Sequence, residues 1–96
     1  MKPSYVYIMA SQRNGTLYIG VSSNLVQRVT AHRHGLVPGF TARYGVKYLV
    51  YYECHANIRE AIAAEKRWKK RRRVIKVHMI ERVNPTWRDL YEDLLK

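Results

Sequence analysis

The chain has 96 residues, of which 47% are apolar, and this composition excludes a disordered protein and allows one modest core. We therefore expect residues 1–96 to form a single domain. The one cysteine excludes an intrachain disulfide and a cysteine-based metal cluster. No apolar run approaches the roughly 20 residues of a membrane helix. Because the N-terminus leads directly into strand-like sequence, we expect no signal peptide. We also expect no membrane partner, and the single cysteine fits a reducing, cytoplasmic location.

Eighteen lysines and arginines against seven acidic residues give a formal net charge of +11. This surplus indicates a polyanionic partner, because cationic side chains release the counterions condensed on nucleic-acid phosphates. An anionic membrane surface would instead select a basic amphipathic helix with a broad apolar face. No such helix stands out, so the composition favours a nucleic acid.

Two strands joined by a short turn begin the chain. Residues 5–10 and 16–22 are rich in β-branched and aromatic side chains, which favour strands. Asn14-Gly15 between them is the strongest short signal for a hairpin. We expect these two residues at the central turn positions, with the strands pairing outward from them.

Alternation along the strands divides this hairpin into two faces. One face is apolar and predicts the core, with Val6, Ile8, Ala10, Leu17, Ile19 and Val21. The other face carries Tyr7 and Tyr18 beside Gly20, which would leave open space. The expected pairing separates the two tyrosines by about 13 Å. A longer loop that shifts the pairing by an even number of residues would keep them on one face.

A helix follows the hairpin. Asn24 is a typical N-cap, Gln27 stands where a capping-box partner would be, and Gly35 is a typical residue just past the end. Arg28 and His32 are separated by four residues and therefore share one face of the helix. That face borders the apolar edge of the helix.

A loop over residues 35–46, which includes Arg43, leads to a third strand over Tyr48–Glu53. This strand is apolar enough to be central in the sheet. Since a helix separates the second strand from the third, the order of elements is ββαβ.

The next helix opens at Asn57, with Glu60 as its capping-box partner. Its inward stripe contains a carboxylate where an apolar residue is expected, in the series Ile58, Ala61, Ile62, Glu65 and Trp68. A further helix over Val74–Arg82 ends at Asn84-Pro85. Thr86 then caps a last helix.

Hydrolysis of a phosphodiester needs a base, a cation for the developing charge and often a carboxylate-bound metal. Tyr7 or Tyr18 would serve as a base only beside positive charge, because a phenol has a reference pKa of about 10. Arg28 could supply that charge and grip a phosphate oxygen, and His32 could accept a proton. Taken alone, each is more often a strand tyrosine, a solvated arginine or a surface histidine.

Glu65 interrupts the apolar stripe of its helix, and two interpretations are equally open. It could form an ion pair with a neighbouring lysine or arginine. It could also bind a metal, since one carboxylate completed by substrate phosphate suits Mg²⁺. Asn84 could turn the chain, cap the preceding helix or contact substrate.

The run Lys66–Arg73 is too densely charged for an ordinary solvated surface, because like charges repel unless a partner neutralises them. It predicts a track for a phosphate backbone, in preference to a solubilising surface. The residues that we expect to contact nucleic acid are Arg43, Lys69, Lys70, Arg71, Arg72 and Arg73. Base stacking by Tyr44 or Trp87 is a further option.

In this order and spacing, the residues resemble the GIY-YIG nuclease superfamily. That superfamily includes certain homing endonucleases and the N-terminal catalytic domain of the excinuclease C subunit, and the chain is most similar to its short stand-alone bacterial members. Val6-Tyr7 stands at the GIY position, and Tyr18-Ile19-Gly20 reproduces YIG. Further matches are Arg28, His32, Gly39-Phe40-Thr41, Glu65-Lys66 and the segment from Asn84 to Tyr91.

The resemblance implies an α+β (α/β) domain with a small three-stranded mixed or antiparallel sheet flanked by helices, in the order ββαβαα(α). It also implies hydrolysis of phosphodiester bonds with a single Mg²⁺ or Mn²⁺ ion. Glu65 would hold that metal, and Asn84 would belong to the catalytic set.

By the same resemblance, Tyr7 would be the general base or its relay, aided by His32. Tyr18 would orient water and phosphate, and Arg28 would stabilise the charge of the transition state. The chain departs from the pattern at Tyr5, which replaces the first glycine of GIY.

We expect a DNA endonuclease that acts by substrate structure or with weak sequence preference, in DNA repair or processing, since no second DNA-binding domain is present. Two alternatives stay open. One is a nucleic-acid-binding module that does not cut, and the other is a nuclease subunit that needs a partner. A carboxylate within a basic stripe favours the nuclease, because a pure binder gains nothing from it.

Overall fold

The computed structural model of the chain describes residues 2–96, which form three strands and five helices. The elements are β1 Ser4–Ala10, β2 Leu17–Ser22, α1 Leu25–Arg33, α2 Phe40–Tyr44, β3 Tyr48–His55, α3 Ile58–Lys70, α4 Arg73–Val83 and α5 Tyr91–Leu94. The predicted α+β class and element order are confirmed. Within residues 2–96, no helix has both the length and the apolar character needed to cross a membrane.

The sheet is antiparallel throughout, with the strand order β2-β1-β3. The prediction that β3 is the central strand is wrong, because β1 occupies that position. The reason lies in burial: Val6 to Ala10 are each at most 1% exposed, so β1 is covered on both faces. Several alternate residues of β3, in contrast, are exposed, as Tyr52 is.

The hairpin pairs two residues away from the predicted register. Tyr7 lies opposite Gly20, and Ala10 opposite Leu17. The predicted turn positions are wrong, because the turn is centred one residue earlier: the Gly15 amide donates to the carbonyl of Gln12 at 2.9 Å. The even shift keeps both tyrosines on one face and brings their ring centroids to 6.3 Å.

The predicted apolar face of the hairpin is confirmed as the main core. Its strand residues pack with side chains from α3, α4 and the segment after α4, in a cluster of Val6, Ile8, Ala10, Ile19, Val50, Ala61, Ala64, Trp68, Ile80 and Trp87. The predicted stripe of α3 is partly wrong. Ile58 and Ile62 are 43% and 38% exposed, because Ala64 faces the sheet together with Ala61 and Trp68.

The opposite face of the sheet carries a second core instead of open space. Tyr7 and Met9 pack there with Leu25 and Val29 of α1. The space beside Gly20 is filled by the Tyr7 ring, because a Cβ atom at Gly20 would lie 2.5 Å from the Tyr7 hydroxyl. Helix α1 therefore covers the face of the sheet from which Tyr7 projects.

The ends of α1 follow the sequence closely. The Asn24 side chain accepts a hydrogen bond from the Gln27 amide at 3.2 Å, as predicted. The Asn24 amide itself donates to the Ser22 hydroxyl at 2.9 Å, so the capping box is not reciprocal. Gly35, just past the end of α1, has a φ of 67°, so the helix ends in a left-handed C-terminal cap.

Two stretches differ from the predicted elements. The loop over residues 35–46 contains the short helix α2, which was not predicted. The last helix begins at Tyr91 and not directly after Thr86. Trp87 has a φ of 58°, which is not a right-handed helical conformation, so no helix forms at that position. Asp89 accepts from the amides of Leu49 and Tyr91, and thereby joins this C-terminal segment to β3.

We expect Gly20→Ala to lower the free energy of unfolding by about 1–3 kcal/mol, because the new methyl group must displace the Tyr7 ring. Urea unfolding of the wild type, Gly20→Ala, Tyr7→Leu and the double variant would measure this. In the Tyr7→Leu background the cost should shrink, since the end of the ring is gone. An equal cost in both backgrounds would contradict the steric explanation.

We expect Asn84→Ala to lower the free energy of unfolding by about 1–3 kcal/mol. The buried Asn84 amide nitrogen donates to the carbonyls of Val50 and Arg88 at 3.0 and 2.8 Å, and its oxygen accepts from the Arg88 amide at 3.0 Å. Asn84→Asp should destabilise at least as much, since a carboxylate repels the two carbonyls. A wild-type urea midpoint for either variant would rule out this structural role.

Candidate active site

The site begins with a buried contact between β1 and α1. The Tyr7 hydroxyl lies 3.1 Å from His32 Nε2, and each residue is only 1% exposed. On the other side of the ring, His32 Nδ1 lies 2.9 Å from the hydroxyl of buried Thr41 in α2. The imidazole is therefore held at both nitrogens, and its orientation toward Tyr7 is fixed.

Burial controls the proton affinity of both partners. It raises the pKa of Tyr7 to about 12, although Arg28 acts in the opposite direction. Burial also lowers the pKa of His32, and the positive charge of Arg28 adds to that decrease. At neutral pH the pair is therefore a neutral phenol beside a neutral imidazole.

Tyr18 and Arg28 complete the polar edge of this pair. The Tyr18 ring lies 5.2 Å from the His32 ring and 6.3 Å from the Tyr7 ring, measured between centroids. Arg28 is exposed, and its pKa is raised chiefly by the adjacent Tyr7 hydroxyl. The guanidinium thus faces both phenols from the solvent side, where an anionic substrate could reach it.

A surface cleft extends from Arg28 along the start of α1. Its volume is about 560 Å³, and its lining includes the polar side chains of Ser22, Ser23, Asn24 and Gln27. Hydroxyl and amide groups of this kind are typical phosphate ligands in nucleic-acid complexes. An extended anion could therefore reach the Arg28 guanidinium through this cleft.

Glu65 lies at the edge of the buried stripe of α3, with 16% of its side chain exposed. Its charge contributes to the raised pKa of Tyr7, so the two residues are electrostatic neighbours. Lys69 is its ion-pair partner, at 3.6 Å and one turn further along the helix. The pair is too long for a strong charge-assisted hydrogen bond, so the carboxylate keeps acceptor capacity.

The donor set at this edge suits one kind of metal. Among residues 2–96, no group of three or more histidine, cysteine, aspartate or glutamate side chains could hold an ion. A single carboxylate within electrostatic reach of Tyr7 fits a hard cation such as Mg²⁺, which retains several waters and can complete its shell with substrate phosphate. It does not fit a site that needs several protein ligands.

Asn84 lies apart from this cluster. It contacts β3 through Val50 and the turn after α4 through Arg88, whereas Tyr18 belongs to the opposite edge strand. Both polar atoms of its side chain are used by the main chain. The structure thus brings together Tyr7, Tyr18, Arg28 and His32, with Glu65 within electrostatic reach of Tyr7. It places Asn84 in a different environment.

The basic residues predicted to contact nucleic acid differ in their surroundings. Arg73 donates to the carbonyls of Asn14 and Gly15 at 2.8 and 2.7 Å, and thereby holds the hairpin turn. The guanidinium of Arg71 lies 4.6 Å from the Trp68 ring centroid. Exposed side chains are found at Arg43, Lys69, Lys70 and Arg72, and also at Arg73. The Arg43 guanidinium lies 5.5 Å from the Tyr44 ring centroid.

Two residues near the site had no role in the sequence-based prediction. Thr41 positions His32, and Phe40 lies against Tyr18 with an interplanar angle of 29°. Both belong to the Gly39-Phe40-Thr41 motif, which was the only signal available. The predicted loop gave no reason to expect that this motif would fold back onto α1.

Comparisons with known proteins point to one family. The sequence profile of the GIY-YIG catalytic domain matches residues 3–77. A UPF0213 protein of Bacillus licheniformis is 39% identical over 79 residues, which cover 81% of this chain and 80% of that protein. A UPF0213 protein of Clostridium perfringens is 38% identical over 77 residues, which cover 80% and 82%.

A solved structure shows the same fold. The solution NMR structure of a UPF0213 protein from Bacillus halodurans has a TM-score of 0.56 with this chain, at 23% identity. The likeness covers 91% of this chain and 92% of that one. The predicted family resemblance is confirmed, because the match to the GIY-YIG sequence profile spans most of the chain and includes both tyrosine motifs. The chain belongs to the GIY-YIG catalytic domain family, a family of nucleases that act on nucleic acid.

Proposed function

We propose that the protein is a metal-dependent DNA endonuclease that hydrolyses phosphodiester bonds in DNA repair or processing. The observation that carries the proposal is the buried pair of Tyr7 and His32, with Arg28 facing it from solvent and Glu65 within electrostatic reach. A proton acceptor, a cation and a carboxylate are the groups that phosphodiester hydrolysis needs.

Tyr7 acts as a proton relay in this proposal. Its high pKa keeps the phenol protonated at rest, so it cannot simply remove a proton as a phenolate. As water attacks phosphorus, the Tyr7 oxygen takes the proton of the water and passes its own proton to His32 Nε2, 3.1 Å away. The bond from phosphorus to the leaving oxygen breaks, and that oxygen takes a proton from solvent. His32 then returns its proton through Tyr7 to solvent, which restores the neutral pair.

Arg28 and Tyr18 would stabilise the phosphate as this charge develops. The guanidinium can offer two parallel donors to phosphate oxygens, and the Tyr18 hydroxyl can orient the attacking water. Glu65 would hold a Mg²⁺ or Mn²⁺ ion, which supplies Lewis-acid stabilisation to the phosphate when bound. The weak pair with Lys69 at 3.6 Å can open to permit this.

The exposed cations favour a substrate recognised by shape or charge. Lys69, Lys70 and Arg72 lie on the surface around the junction of α3 and α4. Contacts of lysine and arginine to phosphate fix position and affinity but carry no sequence information directly. We therefore propose a structure-directed or weakly sequence-specific enzyme.

We expect Glu65→Gln to lower the Mg²⁺-dependent cleavage rate by more than roughly 10- to 100-fold. That range is the typical cost of losing an outer-shell partner of a metal, and loss of a direct ligand should cost more. DNA binding in EDTA should be unchanged or slightly tighter, because a negative charge is removed. Cleavage of supercoiled, branched and single-stranded DNA, followed on gels, measures the first effect. Glu92→Gln is the matched control, since Glu92 is exposed in α5. Equal cleavage by both variants would remove Glu65 from the metal site.

Low pH should weaken both the fold and the activity through His32. Its pKa in the folded protein is below the ordinary value of 6.5, because of burial and the nearby charge of Arg28. As the pH falls below 6.5, the unfolded chain therefore binds a proton that the folded chain does not. Stability that is present above this pH is thus lost progressively as the pH falls toward the folded-state pKa.

The variant His32→Gln should show a smaller loss of unfolding free energy between pH 7 and pH 5 than the wild type, as measured by urea titration. Wild-type cleavage should fall only as the pH approaches the lower folded-state pKa of His32, since a protonated imidazole cannot accept the Tyr7 proton. His78→Gln is the control, because His78 is exposed. A pH dependence unaffected by His32→Gln would refute the buried neutral imidazole.

A further inference from the structure

Three aromatic rings extend from the active site to the surface. The Tyr18 ring lies 6.3 Å from the Phe40 ring at an interplanar angle of 29°, and the Phe40 ring lies 4.8 Å from that of Tyr44. Phe40 and Tyr44 are 45% and 49% exposed. Exposed aromatic rings so close together leave apolar π surface uncovered, directly beside a residue of the active site.

An apolar cleft opens on the Tyr18 side of Phe40. Its volume is about 370 Å³, which lies within the range of about 300–1,000 Å³ typical of ligand clefts. Leu17 and Ile19 of β2 contribute apolar lining next to the Tyr18 and Phe40 rings, and Lys69 and Lys76 are also part of the lining. The cleft thus combines π faces and aliphatic groups with two cations.

We propose that this cleft binds an unpaired nucleobase next to the scissile phosphate, with the base stacked on Phe40 and its flanking phosphates paired with Lys69 and Lys76. This inference rests on the proposed function, and it names the substrate class: nucleic acid that is single-stranded at the cut, as in a flap, a gap or a free strand.

Charge complementarity favours this occupant. A base brings a flat apolar face together with an anionic phosphate on either side, which matches aromatic rings accompanied by lysines. An apolar side chain of a protein would offer no anion to Lys76, and Lys69 would keep only its 3.6 Å pair with Glu65. A paired base would not stack here, since its faces are already covered by its neighbours in the duplex. The position of Tyr18 in both the cleft and the active site makes the bound base a neighbour of the cut.

We expect Phe40→Leu to weaken binding of a single-stranded oligonucleotide about 10-fold and to change duplex binding less than 2-fold. The oligonucleotide carries 2-aminopurine, whose fluorescence is quenched on stacking, and EDTA prevents cleavage. The wild type should quench this fluorescence, and Phe40→Tyr should retain the quenching because it keeps the ring. Tyr48→Leu is the matched control, since Tyr48 is 46% exposed on β3. It should bind like the wild type.

Unchanged single-strand affinity in Phe40→Leu would assign the cleft to another occupant, such as an apolar side chain of a protein, and would overturn the inference. Equal losses for single strand and duplex would overturn it as well. If Phe40→Leu does not fold, absence of quenching by the wild type decides against it. If the protein cleaves nucleic acid but its single-strand binding does not depend on Phe40, this inference is overturned and the proposed function is not. If single-strand binding depends on Phe40 but the protein does not cleave nucleic acid, the proposed function is overturned and the binding site is not.

Discussion

The contact between the Tyr7 hydroxyl and His32 Nε2 is the constraint on which the rest of this structure depends. It joins the central strand to the helix that covers it, at 3.1 Å and away from water. Gly20 makes the contact possible, because any side chain there would occupy the position of the Tyr7 ring. Thr41 fixes the other imidazole nitrogen and thereby ties α2 to the same point. A pair of polar groups buried this deeply is tolerated because each satisfies the other.

Much of the fold could be predicted from local patterns. Alternation in β1 and β2 identified the two faces correctly, and the caps at Asn24 and Asn57 located two helices. The register could not be predicted, because it is set by the loop between the strands. There the Thr16 amide donates to the Ser11 hydroxyl at 3.0 Å, and the turn closes between Gln12 and Gly15. The faces of the hairpin were still predicted correctly, since an even shift in register preserves the faces of a strand.

The candidate site was predicted less completely, for a physical reason. Helical spacing brought Arg28 and His32 together, but it could not show that one is exposed and the other buried. That difference arises from tertiary packing and decides their chemistry: the exposed guanidinium keeps its charge available, whereas the buried imidazole is kept neutral. Asn84 shows a second limit of prediction from sequence, because its role depends on which main-chain groups lie near it. An asparagine before proline permits several roles, and only the carbonyls of Val50 and Arg88 show which bonds it makes.

The electrostatics of Tyr7 favour a relay over a phenolate base once substrate is considered. Arg28 is the positive group that lowers the pKa of Tyr7, against the larger effect of burial. A phosphate bound by Arg28 would neutralise that effect and add negative charge beside the phenol. Both changes disfavour phenolate, so substrate binding would hold Tyr7 protonated. A proton can then leave Tyr7 only as another arrives, and the nearby acceptor at 3.1 Å is the imidazole that burial has kept neutral. In the proposed mechanism, the burial of the Tyr7 and His32 pair therefore serves the chemistry as well as the fold.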